Sequence, residues 1–201
     1  MLAYLSWHRP AAGVQQAAYE QALQRFHRSL AHRPPSGFRG SAALRLQQLP
    51  WLAPILGEGK IDESAAAYED WYLLDDWTAV GVLEEAAVAR GHETAHHAIA
   101  ARAGVATGSV YRLLEGSPRP SATDVAVWVA HEPGHDRDSP AALLGDGMDP
   151  ARDGLWRRCL GLGPAPEYCL LAAEPPAGVA ASRLPPGWVA HSLSREVLWD
   201  G

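Results

Sequence analysis

The chain has 201 residues, of which 47% are hydrophobic and 20% charged, so it is long enough to bury an ordinary globular core. This composition excludes a disordered chain, a collagen-like repeat and a coiled-coil rod. The formal charge of −6 argues against a nucleic-acid-binding surface, and no stretch approaches the ~18 apolar residues of a membrane-spanning helix. The first residues lack the pattern of a signal peptide. We therefore expect a cytoplasmic protein, with neither nucleic acid nor a membrane as partner.

Hydrophobic periodicity predicts the order β-α-β-β-α-β in the first half of the chain. The predicted elements are a strand over 2–8, a helix over 14–32, a strand over 38–46, a loop over 50–64, a strand over 68–75, a helix over 78–102 and a strand over 109–115. We expect a joint at Gly91 in the second helix and a turn from Gly104 to Gly108. This order predicts a four-stranded antiparallel sheet with two helices on one face, the ferredoxin-like plan.

A stretch rich in proline and serine, over 117–123, is typical of a linker. After it we predict a strand over 124–131, a helix within 139–162, a strand over 167–173 and a last strand over 188–199. The sequence therefore divides into a ferredoxin-like half over 1–116, the linker over 117–123 and a shortened ferredoxin-like half over 124–201.

The second half resembles a shortened copy of the first. At an offset of 123 residues, His131 aligns with His8, and a proline follows two residues after each histidine. A second block aligns at an offset of 97, where residues 170–171 match residues 73–74. Because the two offsets differ by 26 residues, we expect the second half to lack one strand and its loop.

In element order and internal duplication, nearly the whole chain resembles the dimeric α/β-barrel superfamily, although it carries no diagnostic motif. In that superfamily two ferredoxin-like units press their sheets together around a central cavity. The resemblance implies an α+β protein of duplicated ferredoxin-like halves (βαββαβ plus a shortened second copy) forming an α/β barrel, closed within one chain or completed by a homodimer. The superfamily includes heme enzymes similar to chlorite dismutases and small monooxygenases of antibiotic biosynthesis. It therefore implies binding of a small molecule, with an oxidoreductase as the most concrete activity.

The sharpest motif is an H-E-x-x-H pattern formed by His92, Glu93 and His96 on the predicted helix. Imidazoles at this spacing lie one turn apart and can share a zinc ion, while the glutamate activates the metal-bound water. Glu115 is the candidate third ligand, because the following strand returns toward the start of the helix. Against this site, the surrounding alanine-rich helix has the pattern of one that covers a sheet. A heme-type role for one histidine of this stretch is a further alternative.

His8 and His131 are the candidate pocket residues that the duplication suggests. By strand alternation His8 shares a face with Tyr4, and His131 shares a face with the valines of its strand, so both could face the space that the sheets enclose. Tyr4 and Trp71 complete the candidate pocket. A pair of titratable groups lining an apolar cavity suits proton transfer or ligand anchoring near neutral pH. Alternatively, each histidine only bonds to the backbone at its strand end.

Two further residue groups have structural interpretations. Eight tryptophans are present, and six of them fall in or beside predicted strands, where we expect them to fill the interface between sheets. Four carboxylates cluster around the third strand. They are Glu69, Asp70, Asp75 and Asp76. We interpret these as a solvated edge or as favourable charges at the N-terminus of the next helix.

Three functions remain open from the sequence. The first is a small-molecule-binding barrel protein, an enzyme or a binding protein for a small apolar molecule, with heme or without a cofactor; an oxidoreductase similar to the superfamily's monooxygenases or heme enzymes is its most concrete form. The second is a zinc-dependent hydrolase that uses the H-E-x-x-H pattern. The third is a non-catalytic protein-interaction module, which a barrel interior filled by side chains would favour.

Overall fold

Eight antiparallel strands close into one barrel in the computed structural model, which describes residues 1–55, 66–89, 91–122, 125–132, 140–173 and 184–201. The strands are β1 (Leu2–Pro10), β2 (Phe38–Leu46), β3 (Ala67–Leu74), β4 (Ala103–Gly116), β5 (Val125–His131), β6 (Gly154–Gly161), β7 (Tyr168–Leu171) and β8 (Trp188–Asp200). The α-helices of the described residues are α1 (Gln16–His32), α2 (Trp77–Ala89), α3 (Glu93–Ala100) and the short α4 (Ala141–Gly145). Short 3-10 helices span Pro50–Ile55 and Pro120–Ala122. None of the described helices is both long and apolar enough to cross a membrane.

The order of strands around the barrel is β1-β3-β2-β8-β5-β7-β6-β4. The strands of the first half are adjacent in the order β4-β1-β3-β2, and those of the second half in the order β8-β5-β7-β6. If the strands are numbered from one to four along the chain within each half, both halves have the same spatial order: fourth, first, third and second strand. Two seams, β2 with β8 and β4 with β6, join the halves, so the barrel closes within one chain.

The predicted elements of the first half are confirmed, apart from the turn before β4. The second predicted helix is two helices, because Gly91 lies between α2 and α3 with a φ of +94° that favours glycine. The expected turn from Gly104 to Gly108 is wrong, since β4 already begins at Ala103. A Cβ at Gly104 would lie 2.8 Å from the Ala11 Cα, so this glycine permits a close approach of two backbones.

Two expectations for the second half are wrong. The helix predicted within 139–162 is only the short α4, and the residues of β6 instead pair with both β4 and β7. Because β6 is present, the second half has four strands, and the expected loss of one strand did not occur. The proline that aligned with Pro10, Pro133, lies outside the described residues, as do parts of the loop predicted over 50–64 and residue 123 of the linker.

Side chains fill the interior of the barrel. The four largest are the fully buried indoles of Trp7, Trp71, Trp128 and Trp156. Their rings meet at centroid distances of 5.2 Å between Trp7 and Trp128 and 5.3 Å between Trp71 and Trp156. The expected role in packing is confirmed for Trp7, Trp71 and Trp128, while Trp156 was not among the tryptophans predicted in strands. Such a filled interior is what we expected of an interaction module.

A buried ion pair lies among these rings. The Arg195 guanidinium approaches the Glu69 carboxylate at 3.2 Å, and neither side chain is exposed to solvent. Glu69 also accepts hydrogen bonds from the Trp7 and Trp71 indoles at 3.1 and 2.6 Å. Arg195 donates a second bond to the Pro120 carbonyl at 2.7 Å. The predicted solvated position of Glu69 is therefore wrong.

Outside the barrel, α1, α2 and α3 cover the strands of the first half. Their apolar stripe packs on the outward residues of β1, β2, β3 and β4. The stripe includes the buried Tyr19, Leu23, Phe26 and Leu30 of α1, at the spacing of an amphipathic helix. A cavity lies between this helix layer and the sheet.

Candidate active site between the helices and the sheet

A cavity of about 310 Å³ lies between the outer face of the sheet and helices α1, α2 and α3. Its floor consists of β1, β3 and β4 residues, including Tyr4, Ser6, His8, Asp70, Tyr72 and Ala106. The helices contribute mostly apolar residues, among them Phe26, Leu83, Ala87, Val88 and Ile99. An apolar cavity with a few converging polar groups is typical of a small-molecule site.

Strand alternation in β1 places His8 on this floor. Ala3, Leu5 and Trp7 point into the barrel, so Tyr4, Ser6 and His8 point outward, toward the helices. The expected shared face of Tyr4 and His8 is present, but it is the face covered by helices rather than the one enclosed by the sheets. Both residues line a cavity, in a different layer of the molecule from the predicted one.

Both ring nitrogens of His8 have partners. The His8 Nε2 donates to the Asp70 Oδ2 at 2.9 Å, and the Tyr19 hydroxyl donates to the His8 Nδ1 at 2.6 Å. A carboxylate cannot donate, so this assignment of donors follows for a neutral imidazole. His8 is 5% exposed and Tyr19 is fully buried, while both line the cavity. The three groups form a hydrogen-bonded chain from the cavity wall to a buried carboxylate.

Asp70 contacts three polar side chains, those of His8, Tyr72 and His27. Its Oδ2 also accepts a bond from the Tyr72 hydroxyl at 3.2 Å, and its Oδ1 lies 3.4 Å from the His27 Nε2, farther than a normal hydrogen bond. Burial by itself raises the pKa of Asp70, but His8 and His27 outweigh burial and hold this pKa well below its usual range. Asp70 is therefore a buried carboxylate that stays ionised.

Tyrosines surround this carboxylate and remain neutral. Burial, with the Asp70 charge as the next cause, raises the pKa of Tyr19 and of Tyr72 well above the ordinary value. Burial, with the charges of Glu84 and Asp70, raises the pKa of Tyr4 to about 12. Their hydroxyl groups therefore act near neutral pH as hydrogen-bond donors and acceptors rather than as charges.

The other two predicted pocket residues lie away from the cavity. His131 is on the outer face of β5, where its ring packs edge-on against Trp188 at 4.9 Å. Trp71 is buried inside the barrel, 5.3 Å from Trp156. The structure thus brings together Tyr4 and His8, and it separates them from His131 and Trp71. The expectation that His8 and His131 face a common enclosed space is wrong.

The expected zinc ligands are not assembled. The His92 ring is 3% exposed and its Nδ1 bonds the Ser29 hydroxyl at 3.0 Å. His96 lines the cavity with Ala106, and from there β4 runs about 30 Å, at roughly 3.3 Å per residue, before it reaches the exposed Glu115. Within the described ranges, no group of three histidine, cysteine or acidic side chains could hold a metal ion. These residues do not fit a zinc centre.

A heme does not fit the cavity either. The volume of about 310 Å³ lies near the lower end of the range for small-molecule pockets, roughly 300–1,000 Å³, and a heme is a large ligand on that scale. His96 is the histidine of the H-E-x-x-H stretch that lines the cavity, and burial, followed by the neighbouring His97, lowers its pKa. The cavity is of a size for a smaller molecule.

The sequence analysis did not assign four residues to the polar network around the cavity: Tyr19, His27, Asp70 and Tyr72. His27 lies four residues after Leu23 and three before Leu30, on the apolar stripe of α1, and this placement was a signal of burial. Asp70 was interpreted as solvated, which is wrong, since it is 3% exposed. For Asp76 the expected role is confirmed, because its Oδ1 accepts the Ala79 N–H at 3.0 Å in the first turn of α2.

Comparison with known proteins shows the class of fold and no family. No protein-family model matches the sequence, and no curated protein matches it. Among the solved structures that match are two that each cover nearly the whole chain. An anthrone oxidase-like protein has a TM-score of 0.54 and 7% identity, over 98% of this chain and 93% of its own. A protein from Lactobacillus acidophilus NCFM, named as a monooxygenase, has a TM-score of 0.53 and 9% identity, over 96% and 93%.

At these identities the likeness shows the fold alone. The chain is an α+β protein with a closed, eight-stranded antiparallel barrel, and the expected barrel is confirmed in that form. The ferredoxin-like nature of the two halves, their boundaries and the homodimer stay predictions.

Proposed function

We propose that the chain is an oxidoreductase that binds a small, mostly apolar, uncharged molecule in the cavity between helices and sheet. The observation that carries this proposal is the hydrogen-bonded chain Tyr19, His8 and Asp70 at the wall of an apolar cavity. The names of the two structural neighbours, an anthrone oxidase-like protein and a monooxygenase, suggest the reaction class.

The charges around the cavity favour an uncharged ligand. Its lining in the described part of the chain includes two carboxylates, Asp70 and Glu84, and neither arginine nor lysine. A carboxylate or phosphate ligand would therefore meet no cationic partner to replace its water of hydration. The apolar helix residues instead favour rings or chains of hydrocarbon.

The polar chain of the site can move a proton. A weakly acidic C–H or O–H group of the ligand, placed at the Tyr19 hydroxyl, gives its proton to the tyrosine oxygen while the tyrosine proton passes to the His8 Nδ1. The ionised Asp70 stabilises the resulting imidazolium through the His8 Nε2 hydrogen bond. The ligand is left as an anion, which is easier to oxidise than the neutral molecule.

Dioxygen is the oxidant that completes this proposal. A ligand methylene group and one O₂ give a carbonyl and one water, so that one oxygen atom enters the ligand and the other leaves with the two hydrogens. The proton held by His8 returns in this step, and the site ends as it began. The protein binds and orients the ligand, removes and returns the proton, and excludes bulk water from the anion.

The first test is oxygen uptake with anthrone, a neutral molecule whose methylene group is acidic. We expect the purified protein to consume oxygen and anthrone in equal amounts, and His8→Gln to lower kcat/KM about 100-fold or more, because glutamine cannot take up the proton. The matched control is His32→Gln, at an exposed histidine in the last turn of α1. Uptake no faster than with heat-denatured protein, or equal losses in both variants, would refute the proposal.

A second test fills the cavity without replacing any residue of the polar chain. Ala106 pairs with His8 across β1 and β4 and lines the cavity, so Ala106→Phe is expected to place a ring in the space that the ligand needs. We expect KM for anthrone to rise about tenfold or more while the thermal midpoint changes little, because phenylalanine suits a strand. The control is Ala31→Phe, at an exposed position of α1 that does not line the cavity. An unchanged KM in Ala106→Phe would place the ligand elsewhere.

We also infer that the two halves are ferredoxin-like repeats of a duplicated unit. The support is the repeated strand order and the matching orientation of β1 and β5, in which Ala3 and Ala126 both point into the barrel. Three helices cover the first half, and only the five-residue α4 is seen over the second among the described residues. The filled interior suits a structural module, but the cavity outside it favours an enzyme.

A further inference from the structure

His27 is a second histidine on the same carboxylate as His8. It projects from α1 into the layer between helix and sheet and is fully buried. Its Nε2 lies 3.4 Å from the Asp70 Oδ1, and its Nδ1 shares a hydrogen bond of 2.8 Å with the Ser41 hydroxyl of β2. The Tyr72 ring stacks on it at a centroid distance of 5.1 Å and an angle of 5°. The stacked Tyr72 ring and the Ser41 hydrogen bond fix the imidazole in place.

This histidine is outside the ligand site itself. His8 and Asp70 line the cavity, while His27 does not. It therefore cannot take a proton from a ligand, and it can influence the reaction only through Asp70. The Asp70 carboxylate carries one negative charge, and two imidazoles compete for it, one at each oxygen.

We propose that His27 is a positioning residue that shares the charge of Asp70 with His8 and so weakens the hold of this carboxylate on the proton that His8 takes up. The proposal deepens the proposed function and rests on it for its catalytic meaning. An imidazolium that has a buried carboxylate to itself is held tightly and returns its proton slowly. A second imidazole on the other oxygen opposes this, because two positive charges close to one carboxylate repel each other.

The other titratable groups around this pair are tyrosines, the Glu84 carboxylate and the His96 imidazole. Tyr19 on α1 and Tyr4 on β1 are held neutral by burial, and so is Tyr72 on β3. Burial, followed by the charge of Glu20, raises the pKa of Tyr68, which stacks on His8 at 5.7 Å. Glu84 on α2 and His96 on α3 face the cavity, and burial lowers the pKa of His96. The variant His96→Gln removes this imidazole, so that a change in its charge cannot be mistaken for an effect of His27.

The test follows the histidine ring nitrogens by NMR in protein labelled with ¹⁵N at histidine. It needs no substrate, so its outcome is independent of the proposed reaction. We expect the titration midpoint of His8 to move to higher pH by about one unit in His27→Gln, because Asp70 then stabilises the His8 imidazolium alone. His32→Gln, on the same helix but exposed, is expected to leave the midpoint where it is in the unchanged protein.

A second variant keeps the test valid if His27→Gln does not fold. Ser41→Ala removes the hydroxyl bonded to the His27 Nδ1, so the His27 ring is held less firmly beside the Asp70 Oδ1. The His8 midpoint is then expected to move in the same direction by a smaller amount. A midpoint that stays in place or moves to lower pH, in either folded variant, would overturn the proposal.

The pH dependence of kcat/KM tests the catalytic part of the proposal. In His27→Gln the acid limb of kcat/KM against pH is expected to move to higher pH with the His8 midpoint. A shifted NMR midpoint with no oxygen uptake in any variant would refute the proposed reaction and leave the shared charge established. Oxygen uptake with an unshifted His8 midpoint would refute the shared charge and leave the proposed reaction standing.

Discussion

Replacing Arg195 by methionine is expected to lower the free energy of unfolding by about 3–5 kcal/mol, since breaking a buried ion pair leaves one charge uncompensated. The Glu69 carboxylate would remain inside the barrel, where the Trp7 and Trp71 indoles are its remaining donors among the described residues. Methionine is long enough to fill much of the space, so the loss reports the charge more than a cavity. Chemical denaturation at pH 7 measures it.

An exposed ion pair gives the matched control. Arg39 donates two hydrogen bonds to Asp75, at 2.6 and 2.7 Å, but the two side chains are 59% and 39% exposed. Arg39→Met is therefore expected to change stability far less. The double variant Glu69→Gln with Arg195→Met should regain part of the loss, since the amide oxygen still accepts from the indoles. Equal losses at Arg195 and Arg39 would contradict the assignment of Glu69 as a charge buried in the barrel.

Replacing Asp70 by asparagine is expected to lower kcat/KM with anthrone by about 100-fold to 10,000-fold. Asparagine keeps nearly the same shape but carries no charge, so the His8 imidazolium that forms during proton transfer loses its stabilising partner. The amide can also donate to the His8 Nε2 and so reverse the tautomer, which turns the Nδ1 into a donor toward Tyr19. Oxygen uptake measures the loss.

The same substitution should change the acid stability of the protein. The folded-state pKa of Asp70 is depressed, so its contribution is complete above the unfolded pKa of about 3.9 and is lost as the pH falls through the folded value. The unchanged protein should therefore lose stability below about pH 4 more steeply than Asp70→Asn. Asp75→Asn, at an exposed carboxylate, is the control. Identical acid curves for the unchanged protein and Asp70→Asn would rule out a buried, ionised Asp70.

The first half could be predicted well from the sequence because its elements follow simple periodicities. The alternation of β1 correctly put Tyr4 and His8 on one face, and the apolar stripe of α1 gave its position. What alternation cannot tell is which of two buried faces a residue joins. The sheet is covered on both sides, by the packed barrel interior and by the helices, so His8 was assigned to the wrong layer.

The predictions for the two carboxylates were wrong for the same physical reason. Glu69 and Asp70 are neighbours in β3 and point to opposite faces, and in a half-buried strand at least one of them would meet water. Here both faces are buried, and each carboxylate meets cations or imidazoles from other elements: Arg195 from β8, and His27 from α1. Such partners are distant in sequence, up to 126 residues away, and no local sequence pattern indicates them.

The second half was harder because glycine and arginine residues in β6 hide its strand pattern. Its identity as a strand comes from pairing with β4 and β7, which is a property of the assembled barrel. The H-E-x-x-H pattern misled for a related reason: two histidines one turn apart are a zinc site only if a third ligand is near, and the tertiary fold carries Glu115 away.

The closed barrel has a consequence for the newly made chain. Its eight strands leave no free edge, because β2 pairs with β8 and β4 pairs with β6. While the second half is still on the ribosome, β2 and β4 would be two unprotected edges, each with a row of backbone groups open to another nascent chain. Of these eight strands, β8 is the last in chain order and closes one of the edges, so the barrel gains full protection from strand-to-strand aggregation only when β8 has left the ribosome.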